Sequence, residues 1–218
     1  MTQTVCITRH GNRLDFADPE WFKTAARPYD PPLSPDGVVQ ARELAQRLTA
    51  ENVRHVFSSP FLRSVETAHE VARVLDLSIK IETGLCEWLN PGWFPAMPEV
   101  LPTADLVQQF PRIDPSYRPR VSARYPESGE WALTRAGETA VRLAAEFCEN
   151  LLLVGHGASV LGATAGLLGE PAKDAERFLL PIRCCSLVKL VGSAGRWVME
   201  LAGDISHLSQ TDTVVRFV

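Results

Sequence analysis

The chain has 218 residues, 45% hydrophobic and 22% charged, ordinary proportions for a globular protein with one domain-sized core. Its formal net charge is −4 and no Lys/Arg run appears, which argues against nucleic acid or an anionic membrane as a partner. No apolar stretch approaches the roughly 20 residues that span a bilayer, the first residues lack a secretory signal, and five cysteines without CxxC spacing suit a reduced, cytoplasmic setting.

The first run, Thr4 to Thr8, is short, apolar and β-branched and stops at Arg9-His10-Gly11, which predicts a buried strand ending in a loop. Ser34-Pro35-Asp36-Gly37 predicts a helix start, a capping residue followed by proline at the first helical position. Val38, Ala41, Leu44, Ala45 and Leu48 then repeat along one face. Val53 to Phe57 predicts a second strand, running into Ser58-Ser59-Pro60 as another cap-and-proline start. Leu62, Val65, Ala68, Val71, Ala72 and Leu75 form the apolar stripe of that helix. Arg63 falls off the stripe in the first turn, where free backbone N–H groups favour an anion.

Ile79 to Ile81 reads as a strand. The stretch from Trp88 to Trp131 holds eight of the 16 prolines and three of the five tryptophans, with no clear period. It is long for a plain loop and too aromatic for disorder, so it predicts a cap inserted at about 88–132 within one domain spanning residues 1–218. Trp88, Trp93, Phe94 and Trp131 supply either a small core for that cap or a wall for a pocket. Leu133, Ala136, Ala140, Leu143, Ala144 and Phe147 predict a further helix. Leu151 to Val154 is a fully apolar strand broken by Gly155-His156-Gly157, after which Ala158, Leu161, Ala165 and Leu168 resume helical spacing. Ser186 to Val191 and Arg196 to Leu201 predict two strands joined by a turn at 192–195, and Val214 to Val218 a last edge strand.

Strands alternating with helices predict an α/β three-layer sandwich, a mostly parallel central sheet flanked by helices. Ligands bind beyond the carboxyl ends of such strands. His10 and His156 both follow a strand directly and Arg63 lies just past another, so three separated segments aim at one edge of the sheet. A histidine that attacks phosphorus is neutral, with one ring nitrogen free and the other tied to an acceptor. Arg9 and Arg13 flank His10, and arginine forks hold two phosphate oxygens while staying charged. His156, once protonated, adds another donor to the phosphate. The leaving oxygen needs a proton, and Glu87 is the chosen donor because it opens the cap segment after a strand; the same carboxylate then serves as base for water. Asp15, Glu99, Glu127 and Glu130 compete for that role.

No HExxH, clustered carboxylate pattern or Cys/His ligand spacing appears, and neither GxxxxGK[ST] nor a strand-linked GxGxxG. No metal and no cofactor is therefore expected. His55, His69 and His207 read as structural or exposed.

Arg9-His10-Gly11 after a first strand, Ser59-Pro60-x-x-Arg63-x-x-x-Thr67 entering a helix, and Gly155-His156-Gly157 after an apolar strand together resemble the histidine phosphatase superfamily, which includes the phosphoglycerate mutases. The likeness runs from the first strand to about Leu168 and implies a phosphoglycerate mutase-like fold. Arg9-His10-Gly11-Asn12-Arg13, Leu85-Cys86-Glu87-Trp88 and Pro115-Ser116-Tyr117-Arg118-Pro119 more narrowly resemble the phosphatase domain of the suppressor-of-T-cell-receptor-signalling proteins. That branch includes protein tyrosine phosphatases and an insect steroid-phosphate phosphatase.

The resemblance implies a metal-independent phosphomonoester hydrolase working through a phosphohistidine on His10. Arg9, Arg13, Arg63 and His156 would bind phosphate and Glu87 would donate the proton. The substrate would be a phosphate-bearing small molecule or phosphoprotein, such as a phosphotyrosine, aryl or other bulky organic phosphate. Asn12 stands where that pattern has an acidic residue, and the branch's ubiquitin-binding and SH3 modules are not within these residues. A homodimer is also implied, though no sequence stripe marks an interface. The rival readings are a phosphoglycerate mutase, which needs cations for a substrate carboxylate, and a phospho-ligand binding module without turnover.

Overall fold

A computed structural model describes residues 2–18, 20–178, 182–193 and 195–210, so the strand expected at 214–218 lies outside the described residues. Among the described residues six strands form one sheet: β1 (Gln3–Arg9), β2 (His55–Ser58), β3 (Ile79–Ile81), β4 (Leu151–Gly155), β5 (Leu187–Ser193) and β6 (Arg196–Asp204). Their order is β3-β2-β4-β1-β5-β6. The pairs β3–β2, β2–β4 and β4–β1 are parallel, whereas β5 and β6 add an antiparallel edge. The sheet is thus mostly parallel, as the alternating elements predict.

Two four-residue helices, α1 (Leu14–Ala17) and α2 (Trp21–Thr24), follow β1, and five longer ones complete the fold: α3 (Pro35–Leu48), α4 (Leu62–Leu75), α5 (Thr103–Gln109), α6 (Gly129–Glu146) and α7 (Gly157–Leu168). Alternation along the buried β4 explains the layering. Leu152 and Val154 pack into one core with Leu44 of α3 and Val65 of α4. Leu151 and Leu153 face the other way into a core with Leu143 of α6 and Val160 of α7. The helices of this second layer pack backbone to backbone: a Cβ on Gly162 would lie 2.3 Å from the Leu133 carbonyl oxygen. Among the described residues no helix is long and apolar enough to cross a membrane.

Several elements differ from the sequence reading. Ser34 caps α3 as expected, accepting from Gly37 N at 3.2 Å, but Ser59-Pro60 does not start α4. That helix begins at Leu62, whose N–H is taken by Asp30 Oδ1 at 2.7 Å, while the Ser59 hydroxyl accepts from Phe61 N at 3.4 Å. The Pro-rich stretch contains α5, which shows no apolar stripe because only Leu106 of it is buried. Helix α6 starts at Gly129, so Trp131 belongs to its first turn and is 67% exposed rather than part of a small core.

Candidate active site

The parallel register of β1 and β4 pairs Arg9 with Gly155, which sets His10 and His156 side by side where the strands end. His10 N donates to the Gly155 carbonyl at 3.0 Å. Both imidazoles are fully buried, with ring centroids 5.1 Å apart. Nδ1 of His10 lies 2.7 Å from the Gly11 carbonyl oxygen. A carbonyl only accepts, so Nδ1 carries the proton and Nε2 keeps its lone pair. Arg63 Nε donates to that Nε2 at 3.2 Å, and Arg63 Nη2 to Nδ1 of His156 at 3.2 Å. A guanidinium has no acceptor, so the proton of His156 sits on Nε2 and goes to Ser59 Oγ at 2.8 Å.

One guanidinium therefore bridges two neutral imidazoles. Burial, then the charges of Arg63 and Arg9, holds His10 well below the ordinary 6.5. His156 is lowered in the same way, by burial first and Arg63 second. Arg63 itself is buried in the first turn of α4, where burial and then Arg13 bring it down to about 9, still charged at neutral pH. Its Nη1 is buried and has no hydrogen-bond partner among the described residues. An orphaned donor of this kind fits an anion-binding role.

Arg9 ends β1 and donates through Nη1 to the Ile182 carbonyl at 3.1 Å. Arg13 is held in a fork by Asp15, at 2.9 and 2.5 Å, and lies over the Phe16 ring. Gly11 N donates to Thr67 Oγ1 at 3.0 Å, and that hydroxyl donates to the Arg63 carbonyl at 2.8 Å. Two of the three sequence motifs are thereby tied together. Asn12, in place of an acid, donates through Nδ2 to Asp36 at 2.7 Å, so a carboxylate there would face another carboxylate.

Glu87 stands at the same place. Its Oε1 accepts from Trp88 N at 2.9 Å and its Oε2 lies 3.6 Å from Nδ1 of His156. Of the competing acids, Asp15 is committed to Arg13 and Glu127 to Arg135. Glu99 is exposed, and Glu130 is exposed where it lines the cleft. Asp15 and Ser59, like Phe22 and Tyr29 of the cleft, have roles that the sequence reading missed. The Arg13-x-Asp15 spacing carries the first signal, whereas Ser59 reads locally as a helix cap.

Arg9, Arg13, Arg63 and Glu87 line a cleft of about 700 Å³. Phe22, Tyr29, Trp88, Trp93 and Phe94 form the rest of its aromatic wall. Trp88 and Trp93 meet edge to face at 4.9 Å and Tyr29 and Phe94 at 5.5 Å, so the wall is itself packed. Among the described residues no group of three or more His, Cys, Asp or Glu is placed to hold a metal ion.

The family model described as histidine phosphatase superfamily (branch 1) matches residues 5–205. Probable phosphoglycerate mutase GpmB of Photorhabdus laumondii is 33% identical over 222 residues, covering 94% of each chain. Ubiquitin-associated and SH3 domain-containing protein B of Mus musculus is 29% identical over 187 residues, covering 77% of this chain and 29% of its own length. The chain thus spans under a third of that relative. The crystal structure of the ecdysone phosphate phosphatase from Bombix mori in complex with tungstate superposes with a TM-score of 0.81 at 21% identity, covering 99% of this chain and 98% of that one.

Proposed function

The chain belongs to the histidine phosphatase superfamily, branch 1, and from that premise we propose that it is a metal-independent phosphomonoesterase acting through a phosphohistidine on His10. The observation that carries the reading is the Arg63 guanidinium shared between Nε2 of His10 and Nδ1 of His156. It sets a neutral nucleophile inside a ring of fixed positive charge, the arrangement that phosphoryl transfer needs most.

A phosphomonoester enters with its oxygens on Arg9, Arg13 and Arg63, which supply the charge neutralisation from the protein itself. Nε2 of His10 attacks phosphorus; the P–N bond forms as the bond to the leaving oxygen breaks. Glu87 gives its proton to that oxygen. As a carboxylate it then takes a proton from the water that attacks the phosphohistidine, releasing inorganic phosphate and a neutral His10. His156, beside Glu87 at 3.6 Å, gains a donor toward phosphate when it takes up a proton.

The substrate class follows from the wall. We read residues 88–132 as a cap whose Trp88, Trp93 and Phe94, with Phe22 and Tyr29 packed beside Phe94, face an aryl or other bulky organic group on the phosphate. The ecdysone phosphate phosphatase that shares the fold is named for a bulky organic phosphate, which agrees with that class. Buried thiols at Cys6 and Cys86 suit a reducing, cytoplasmic compartment.

A second reading, phosphoglycerate mutase-type transfer, is favoured by the 33% identity with GpmB across 94% of the chain. The aromatic wall suits a three-carbon acid poorly. Interconversion of 3-phosphoglycerate in the presence of its bisphosphate separates the two. The primary test is hydrolysis of para-nitrophenyl phosphate with a chelator present, by the wild type and by His10→Ala. Turnover that survives chelation and vanishes in the variant supports the proposal; equal turnover in both removes it.

A further inference from the structure

Glu87 lies on an irregular segment, yet its carboxylate has to stay beside His156. One buried ion pair holds that segment. Arg135, on the inner face of α6, meets Glu127 through Nε–Oε1 at 2.6 Å and Nη2–Oε2 at 2.8 Å. Its Nη1 also donates to the carbonyls of Gly84 at 2.8 Å and Cys86 at 3.1 Å, and its Nη2 to that of Glu87 at 3.1 Å.

Glu127 grips the same segment from its other side. Its Oε2 accepts from Leu89 N at 3.1 Å, its own N–H donates to the Leu89 carbonyl at 3.1 Å, and its carbonyl accepts from Trp88 Nε1 at 3.0 Å. Each residue from Cys86 to Leu89 is therefore tied to the pair. Arg135 and Glu127 are both buried, and neither lines the cleft. A buried ion pair is weak as a source of stability, because desolvation offsets its attraction. Its directional donors are better suited to fixing where a backbone runs.

We infer that Arg135 and Glu127 are positioning residues, which set the Glu87 carboxylate and the Trp88 wall in place without touching the phosphate. The inference deepens the reading above and rests on Glu87 being the proton donor. A displaced donor costs most when the leaving oxygen is a strong base, and little when the leaving group departs unaided. The signature of the pair is thus a selective one.

The test uses the full chain with phenyl phosphate as the poor leaving group and para-nitrophenyl phosphate as the good one, alongside inhibition by inorganic phosphate. Arg135→Lys keeps a charge for Glu127 but loses the fork; the double variant Arg135→Met/Glu127→Leu removes both charges together. For the double variant, kcat/KM on phenyl phosphate, which reports the steps up to departure of the leaving group, is expected to fall about 10- to 100-fold, with a change of under about threefold in kcat/KM on para-nitrophenyl phosphate and in the inhibition constant. Arg135→Lys is expected to fall between it and the wild type, and Glu87→Gln to show the same selectivity.

Equal losses on both esters accompanied by a lower melting temperature would assign the pair to stability alone and overturn the inference. Unchanged kinetics, or failure of both variants to fold, would overturn it too. If Glu87→Gln shows no leaving-group preference, or His10→Ala remains active, the underlying reading has failed and takes the inference with it. A normal result for those two beside unselective Arg135 variants overturns the inference alone.

Discussion

Arg63 Nε donates to Nε2 of His10 at 3.2 Å, so the lone pair that would attack phosphorus is held by a guanidinium. In the proposed mechanism, incoming phosphate would draw that donor onto its own oxygens before His10 is free to attack. Nη1 of the same side chain, which has no partner among the described residues, offers a second donor for the exchange.

Replacing Arg63 tests this directly. Arg63→Met is expected to lower kcat/KM for para-nitrophenyl phosphate by about 10²- to 10³-fold, the usual scale for losing one preorganised donor to transition-state charge. Arg63→Lys is expected to recover little, because a single ammonium nitrogen replaces the spaced Nε, Nη1 and Nη2 donors of the planar fork. Steady-state kinetics on the two variants decide it, and near-complete recovery by lysine would contradict the bridging role.

The pH dependence follows from His10. Burial, followed by the charges of Arg63 and Arg9, holds it below 6.5, and in the proposed mechanism the neutral imidazole is the attacking form. Activity governed by a lowered value is present above that value and is lost as pH falls through it. The acid limb of kcat/KM that belongs to His10 is therefore expected below pH 6.5 in the wild type. Removing a nearby positive charge raises the value, so residual activity of Arg63→Met is expected to show that limb at higher pH. A pH–rate profile of both proteins gives the answer; a shift toward lower pH would be the wrong sign.

The aromatic wall is expected to act on the organic half of the substrate. Tyr29→Ala or Trp93→Ala should raise KM for phenyl phosphate by about 5- to 10-fold, the effect of losing roughly 1 kcal/mol of aromatic contact. Inhibition by inorganic phosphate should not change, since the arginines proposed to hold it are untouched. Parallel measurement of both constants shows whether the two move together, which would place these side chains in phosphate binding.

Gly37 is expected to be irreplaceable for steric reasons. A Cβ there would lie 2.2 Å from the Asn12 carbonyl oxygen, in the loop that carries His10. Gly37→Ala should cost about 1–3 kcal/mol in denaturant unfolding, the range for forcing extra volume into a packed site. Gly157→Ala, where an added Cβ meets nothing within 4 Å, serves as the stability control.

Much of this molecule was legible in the chain because its strands are short apolar runs that stop at chemically distinctive residues. Thr4 to Thr8 before Arg9-His10 and Leu151 to Val154 before His156 located both β1 and β4 and the two histidines at their ends. Legibility failed where a residue serves a distant partner. Ser59 has the local look of a helix cap, yet its hydroxyl is 2.8 Å from His156, and Asp30 takes the N–H of Leu62 from 32 residues away. Helix α5 was hidden because a helix with one buried side chain leaves no stripe to read. Phe22 and Tyr29 of the wall stand outside the Pro-rich stretch that drew attention to aromatic residues, and only the fold brings them to Phe94.

The most direct test of the central claim is to mix enzyme with para-nitrophenyl phosphate, denature the mixture at alkaline pH, where a phosphoramidate bond survives, and locate added phosphate by mass spectrometry of the peptides. The account predicts phosphate on the peptide bearing His10, at the imidazole, and none in His10→Ala. Phosphate on another residue, or turnover equal to wild type in His10→Ala, would contradict it.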